Sequence, residues 1–144
     1  MPSNFTLEYI AFVFFSVVGV LQFVFALNGI RGMLFIRNSV RTTATLSVLL
    51  VLAAFTWFFT SAPRNVPDTG LGLDGNAQAL WFSVSAAAAV AATALFSSAL
   101  NHRWGKQASA EVVGIEVLQQ TTFMRALAHS LPSRWRKARL WTPR

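Results

Sequence analysis

YIAFVFFSVVGVLQFVFALNGI, residues 9–30, contains no Asp, Glu, Lys or Arg. Two further runs share this property, 42–63 and 75–102, with His102 as the single titratable group, at the end of the third. A charge at the centre of a membrane helix costs about 2.5–3.5 kcal/mol on insertion scales. Crossing the hydrocarbon takes about 20 apolar residues at ~1.5 Å of rise each. All three runs are long enough. The chain therefore reads as an all-α membrane protein with three transmembrane helices, at about 9–30, 42–61 and 77–100. These make one bundle over residues 1–104 and leave residues 105–144 as a tail.

Composition points the same way. The 144 residues are 54% hydrophobic and 12% charged, too apolar for a small soluble domain whose high surface-to-volume ratio demands a polar exterior. There is no cysteine, which excludes disulfides, thiolate metal sites, thiol nucleophiles and palmitoylation. The net charge of +7 invites a nucleic-acid reading, but the basic residues lie beside the spans, where anionic lipid headgroups are the nearest partner. No nucleic-acid partner is expected. No Lys or Arg precedes Arg31, and the first apolar run exceeds a signal-peptide core, so it reads as a retained span. Asn4-Phe5-Thr6 fits the glycosylation triplet but lies against the membrane, and reads as chance. Heavy Ala and Arg usage is associated with bacterial proteins, which would place the chain in a bacterial inner membrane as a multi-pass cell-membrane protein.

Charge asymmetry orients the spans. The first connection carries Arg31, Arg37 and Arg41 without an acid, and the segment after the third span opens with Arg103 and Lys106. The second connection sets Arg64 against Asp68 and Asp74, and the N-terminal stub has only Glu8. Basic short loops stay in the cytoplasm, so the N-terminus is expected outside and the C-terminus inside. Tyr9, Trp57 and Trp81 then fall at the outer interface and Trp104 at the inner one, the headgroup depth that amphipathic rings prefer.

The first span interleaves Phe12, Phe14, Phe15, Phe23 and Phe25 with a stripe of small or polar residues: Ser16, Gly19, Gln22, Ala26 and Gly29. Spacings of three and four place that stripe on one face. The third span has a matching stripe, Ser85, Ala89, Thr93 and Ser97, and the second offers Ala53, Thr56 and Thr60. In lipid, small residues let backbones approach, and hydroxyls or amides bond across the interface. Gln22 is read at mid-depth, either contacting a ligand or hydrogen-bonded to a hydroxyl of a neighbouring helix. The phenylalanines would clasp a pigment, quinone or lipid tail, or else face lipid and a larger protein partner.

Residues 62–76 form the outer loop, dense in Pro, Gly, Asp and Asn. Gly70, Gly72 and Gly75 spell G-x-G-x-x-G, but that chemistry needs a strand before it and a soluble βαβ unit around it. Asp68, Asp74 and Asn76 do not match an EF-hand spacing, and Asp74 or Asn76 instead suits a cap for the third helix. With Arg64, these residues form a loop suited to docking an extramembrane partner. In the tail, 106–131 reads as a cytoplasmic amphipathic helix. Val112, Val113, Phe123, Met124, Leu127 and Leu131 lie on one side and Glu111, Thr121, Thr122, Arg125 and His129 on the other. The β-branched stretch from Val112 to Val117 leaves a strand open. Beyond Pro132, Arg134, Arg136, Lys137 and Arg139 alternate with Trp135 and Trp141, which suits an anionic cytoplasmic lipid surface better than RNA.

No catalytic constellation is visible, and no enzyme is expected. The acids are scattered over both sides, and His102 and His129 lack a second ligand at metal spacing. Proton or ion transport usually leaves ionisable residues within the spans, and none is at depth here; a small oligomeric transporter or channel stands as an alternative. His102 is a weak candidate ligand for bacteriochlorophyll magnesium or haem iron, and a quinone is the other cofactor alternative; the main reading has none. The reading that remains is a non-catalytic accessory or scaffold subunit of a respiratory, photosynthetic or secretory complex. It would pack against other integral membrane proteins through its small-residue faces.

Overall fold

A computed structural model describes residues 5–61, 75–102 and 116–128. These are helical apart from short connections, with α1 at Phe5–Leu27, α2 at Val40–Thr60, α3 at Gly75–Leu100 and a single turn, α4, at Val117–Gln120. No strand occurs among the described residues. The helices α1, α2 and α3 have 23, 21 and 26 residues, and all three are long and apolar enough to cross a membrane.

The boundaries differ from the charge-free runs. The first helix begins four residues earlier, at Phe5, and keeps Glu8 in its first turn, where the helix dipole favours an acid. It also ends earlier, at Leu27, because Gly29 turns the chain. With φ at 65°, Gly29 donates to the Ala26 carbonyl (3.3 Å) while Ile30 N–H reaches back to Phe25 (2.9 Å). These two bonds make a Schellman closure, with Ile30 packing near Phe25 as that motif favours. Gly29 is thus a helix terminator and not part of the packing stripe. Gly29→Ala should cost about 1–2 kcal/mol through the left-handed backbone alone, since nothing lies within 4 Å of the new methyl. Thermal unfolding in mild detergent measures it. The second helix starts at Val40, capped by Ser39, whose Oγ accepts from Thr42 N–H at 3.2 Å. Asn76 lies inside α3, so it cannot be that helix's cap. Asp74 is outside the described residues.

The middle of the bundle is α1. It packs on both α2 and α3, which make little contact with each other. Chain direction makes α1 and α3 parallel and α2 antiparallel to both. Ser85 Oγ donates to the Ile10 carbonyl at 2.7 Å, pinning α3 to α1 near one end. At that end Phe12 stacks on Phe58 (centroids 4.5 Å apart, planes at 19°) and meets Phe55 edge-on at 4.9 Å. Phe5, Tyr9, Val13, Val17 and Trp81 complete this cluster. Tyr9, Trp57 and Trp81 therefore share an end. Tyr9, however, is buried between Phe5 and Phe58, and Trp57 is half exposed.

The face of α2 that packs inward is Thr43, Ser47, Ala54 and Phe58. Ala53, Thr56 and Thr60 are exposed, which corrects the face expected from sequence. Two small-residue faces exist on this helix, and the inward one brings Phe58 onto the Phe12 ring. Nor do most hydroxyls bridge helices. Ser47 and Thr60 donate to carbonyls four residues back in their own helix, at 2.7 Å each. Among the described residues Ser85 is the one hydroxyl seen to donate from one long helix to another.

Candidate functional site

The most organised polar structure lies at the other end of the bundle, around the α1–α2 connection. This segment does not run across the helix ends. After a 3-10 turn at Arg31–Met33 it folds back between the helices, and Leu34 is 0% exposed. Irregular backbone inside a membrane is tolerated only where protein satisfies its N–H and C=O groups. Side chains from α1, from α2 and from the residue that follows α3 do so here. The Gln22 amide donates through Nε2 to the Met33 carbonyl (2.9 Å), and its Oε1 accepts from Phe35 N–H (2.9 Å). Asn101, just past α3, donates to the Leu34 carbonyl at 2.8 Å and to Ser97 at 2.9 Å. Thr43 Oγ1, in the first turn of α2, lies 2.7 Å from the Ile36 carbonyl and 3.0 Å from that of Ser39.

Gln22 sits five residues above the end of α1, roughly 7–8 Å at 1.5 Å per residue, so the connection dips by more than a turn. That depth corrects two expectations. Gln22 lies in the C-terminal half of α1 and not at its centre, and its partner is loop backbone, not a hydroxyl on another helix. Met33 packs against α3, with Ser97 Oγ 3.8 Å from its sulfur.

The segment 116–128 closes the arrangement from the far side. Leu118 and Phe123 pack on Ile30, Met33 and Ala94. Met124 N–H donates to Ser98 Oγ at 3.2 Å, and Arg125 Nη2 donates to the His102 carbonyl at 2.8 Å. Gly32 has to be glycine, because a Cβ there would overlap the carbonyl oxygens of Thr121 and Leu118. This segment is not one uninterrupted helix. It breaks at Thr121–Thr122, where Thr121 is extended (φ −142°, ψ 169°), before helix resumes at 123. Thr121 and Thr122, assigned by periodicity to the polar side, are almost fully buried, whereas Met124 and Leu127 of the apolar side are exposed. Residues 106–115 and 129–131 lie outside the described residues, and with them most of the strand alternative at 112–117, of which Val117 is helical.

The other sequence-based candidates divide as follows. Gly19 lies where α1 closely approaches Ser47 and Val51 of α2, and Ala26 is buried. Ser16 is half-buried, its Oγ enclosed without a partner. Ser85, Ala89, Thr93 and Ser97 form the buried face of α3, and Thr93 Oγ1 is enclosed without a partner too. Phe12 and Phe25 are spent on contacts within the chain, while Phe15 is exposed. His102, just past α3, has Nδ1 3.0 Å from the Ala99 carbonyl in the last turn of that helix. No group of three or more His, Cys, Asp or Glu that could hold a metal occurs among the described residues. Arg64 and Asp68 of the loop, and Arg134, Trp135, Arg136, Lys137, Arg139 and Trp141 of the tail, lie outside those residues.

Sequence reasoning missed Asn101, Thr43 and Gly32. A signal existed for the first. Asn101 continues the four-residue spacing 85-89-93-97 at the end of a charge-free run, where a buried amide needs a partner. Gly32 had none, because its neighbour is ninety residues away in the chain.

Fold and site together define a multi-pass, all-helical membrane protein with a re-entrant connection held by side-chain amides. No family model matches the chain, and neither a curated protein nor a solved structure does.

Proposed function

We propose that this protein is a non-catalytic membrane subunit that seats against another integral membrane protein through the outward face of α3. One observation carries the reading. The inward small-residue face of α3 is filled by α1, yet a second one, Ser83, Ala87 and Ala91, is exposed along its length. Small residues four apart let a helix backbone approach closely in lipid, where bulk apolarity offers no reason for association. Ser83 donates to Ala79 of its own helix at 2.9 Å, so the stripe presents no unmet donor. Phe82, Val84, Val90 and Leu95 flank it as exposed bulk.

The polar groups at depth support a structural role. Gln22, Asn101 and Thr43 are engaged in holding the connection, and no Asp, Glu, Lys or Arg lies between Tyr9 and Ile30 or between Gly75 and Asn101 to couple to an ion gradient. With the basic connection facing the cytoplasm, the N-terminus lies outside the cell membrane and the amide-held end faces inward, next to anionic lipid.

Ala87→Leu tests the assignment. It should abolish co-purification of a membrane partner in mild detergent while changing unfolding free energy by less than about 0.5 kcal/mol, as for an exposed site away from special features. Retention of the same partner by Ala87→Leu and by Ala91→Leu would reject the α3 face. Solute flux through liposomes carrying the protein alone would reject the subunit reading.

A further inference from the structure

The segment 116–128 meets its seat through the apolar pair Leu118 and Phe123, a hydrogen bond from Met124 N–H to Ser98, and an exposed one from Arg125 to the His102 carbonyl. Docking encloses Thr121 Oγ1 without a partner, a penalty that release would relieve. It also breaks the helix at Thr121–Thr122 and leaves Met124 and Leu127 exposed. The sequence periodicity describes something else: one amphipathic helix with Phe123, Met124 and Leu127 together on its apolar side, followed by a basic, tryptophan-bearing run. A local pattern that conflicts with the observed packing is the mark of a second arrangement.

We propose that residues 116–128 are a releasable strap with two seats. In the seat seen here the strap lies over the re-entrant connection, on the ledge provided by Gly32. In the other it lies on the adjacent anionic bilayer surface as a continuous helix, with Phe123, Met124 and Leu127 in the acyl boundary and Arg125 among headgroups. Met124 lies against Ser98 of α3 and is itself exposed, as are Phe96 and Leu100 on that helix. Release uncovers Met33 and the Gly32 backbone. The anionic lipid content of the membrane thereby sets whether the connection is covered.

The chain has no cysteine, which makes the test direct. Met33→Cys in full-length protein is labelled with a soluble maleimide in nanodiscs of phosphatidylcholine, or of phosphatidylcholine with about a third phosphatidylglycerol. Labelling should be slow without the anionic lipid and about tenfold faster with it, the protection reporting a local opening. Gly32→Leu, which removes the ledge, and Leu118→Asn, which loosens the strap without touching the connection, should each label fast in both. Ala54→Cys, buried between α1 and α2, should stay slow throughout. Fast labelling of Met33→Cys in phosphatidylcholine alone would show that the strap is not seated. Equal rates in the two lipids, an Ala54→Cys rate that rises in parallel, or no change in Gly32→Leu and Leu118→Asn would each overturn the proposal.

Discussion

Gln22→Leu should lower the unfolding free energy of the bundle by about 2–5 kcal/mol, measured by denaturation in mixed micelles. The leucine fills nearly the same volume, so the loss is not a cavity. What it leaves are two backbone groups, Met33 C=O and Phe35 N–H, each deprived of the amide that satisfied it at 2.9 Å. A buried orphan such as the Met33 carbonyl costs about 1–3 kcal/mol, and the part-buried Phe35 N–H adds less. That exceeds the roughly 0.6 kcal/mol average for a side-chain hydrogen bond between membrane helices, because an unfolded side chain in lipid finds other partners, whereas a connection locked in its dip cannot. Asn101→Leu removes the neighbouring clamp at Leu34 and should cost somewhat less, since a single loop carbonyl loses its donor. The two changes act on one short connection, and their combination should depart from additivity by about 0.5–3 kcal/mol. Independent, additive effects in a double-mutant cycle would mean that the connection does not move as a unit.

The second large effect belongs to Gly19. A methyl placed there would fall 2.6 Å from Val51 Cγ2 and 3.0 Å from the Ser47 carbonyl oxygen. The valine methyl can rotate aside; the carbonyl belongs to helical backbone and cannot. Gly19→Ala should therefore push α2 away and cost about 1–3 kcal/mol, the range for overpacking. Gly19→Leu should go further and abolish the α1–α2 contact, read as loss of the Phe12–Phe58 stacking signal in near-ultraviolet circular dichroism. Adding Val51→Ala to Gly19→Ala should restore part of the loss and no more. Full rescue would show that the side chain, not the Ser47 carbonyl, sets the helix separation.

How much of this was legible beforehand follows from the physics of each signal. Three absences of charge gave three spans, since hydrocarbon penalises an ion wherever the neighbours stand. The inward face of α3 was legible too, because Ser85, Ala89, Thr93 and Ser97 carry three hydroxyls at four-residue spacing, whereas its other small face, Ser83, Ala87 and Ala91, carries one. The face of α2 was not. Ala53, Thr56 and Thr60 are as small as Thr43, Ser47 and Ala54, and the choice between them rests on Phe58 meeting Phe12, a contact no local pattern encodes. Gly29 was misplaced for a related reason. Its spacing continues the stripe, but its positive φ makes it the residue that ends the helix.

The 116–128 segment shows the same division. Periodicity put Thr121 and Thr122 on the polar side, and for a lone helix in water or on a membrane that is sound. Against Gly32 those threonines are the residues small enough to be enclosed, and the helix breaks to let them in. A break of this kind is fixed by a surface the sequence window does not contain.

Taken alone, the order of residues determined that this chain has three apolar helices, where each lies to within a few positions, and that no charge is carried into their middles. Transfer free energy is local and additive, so each segment settles it for itself. Only the tertiary structure decided that α1 is central, that the first connection turns back into the bundle, and that Gln22, Asn101 and Thr43 converge on it. Those outcomes depend on which backbone groups are left without partners once the helices have packed, and that is a property of the assembled chain.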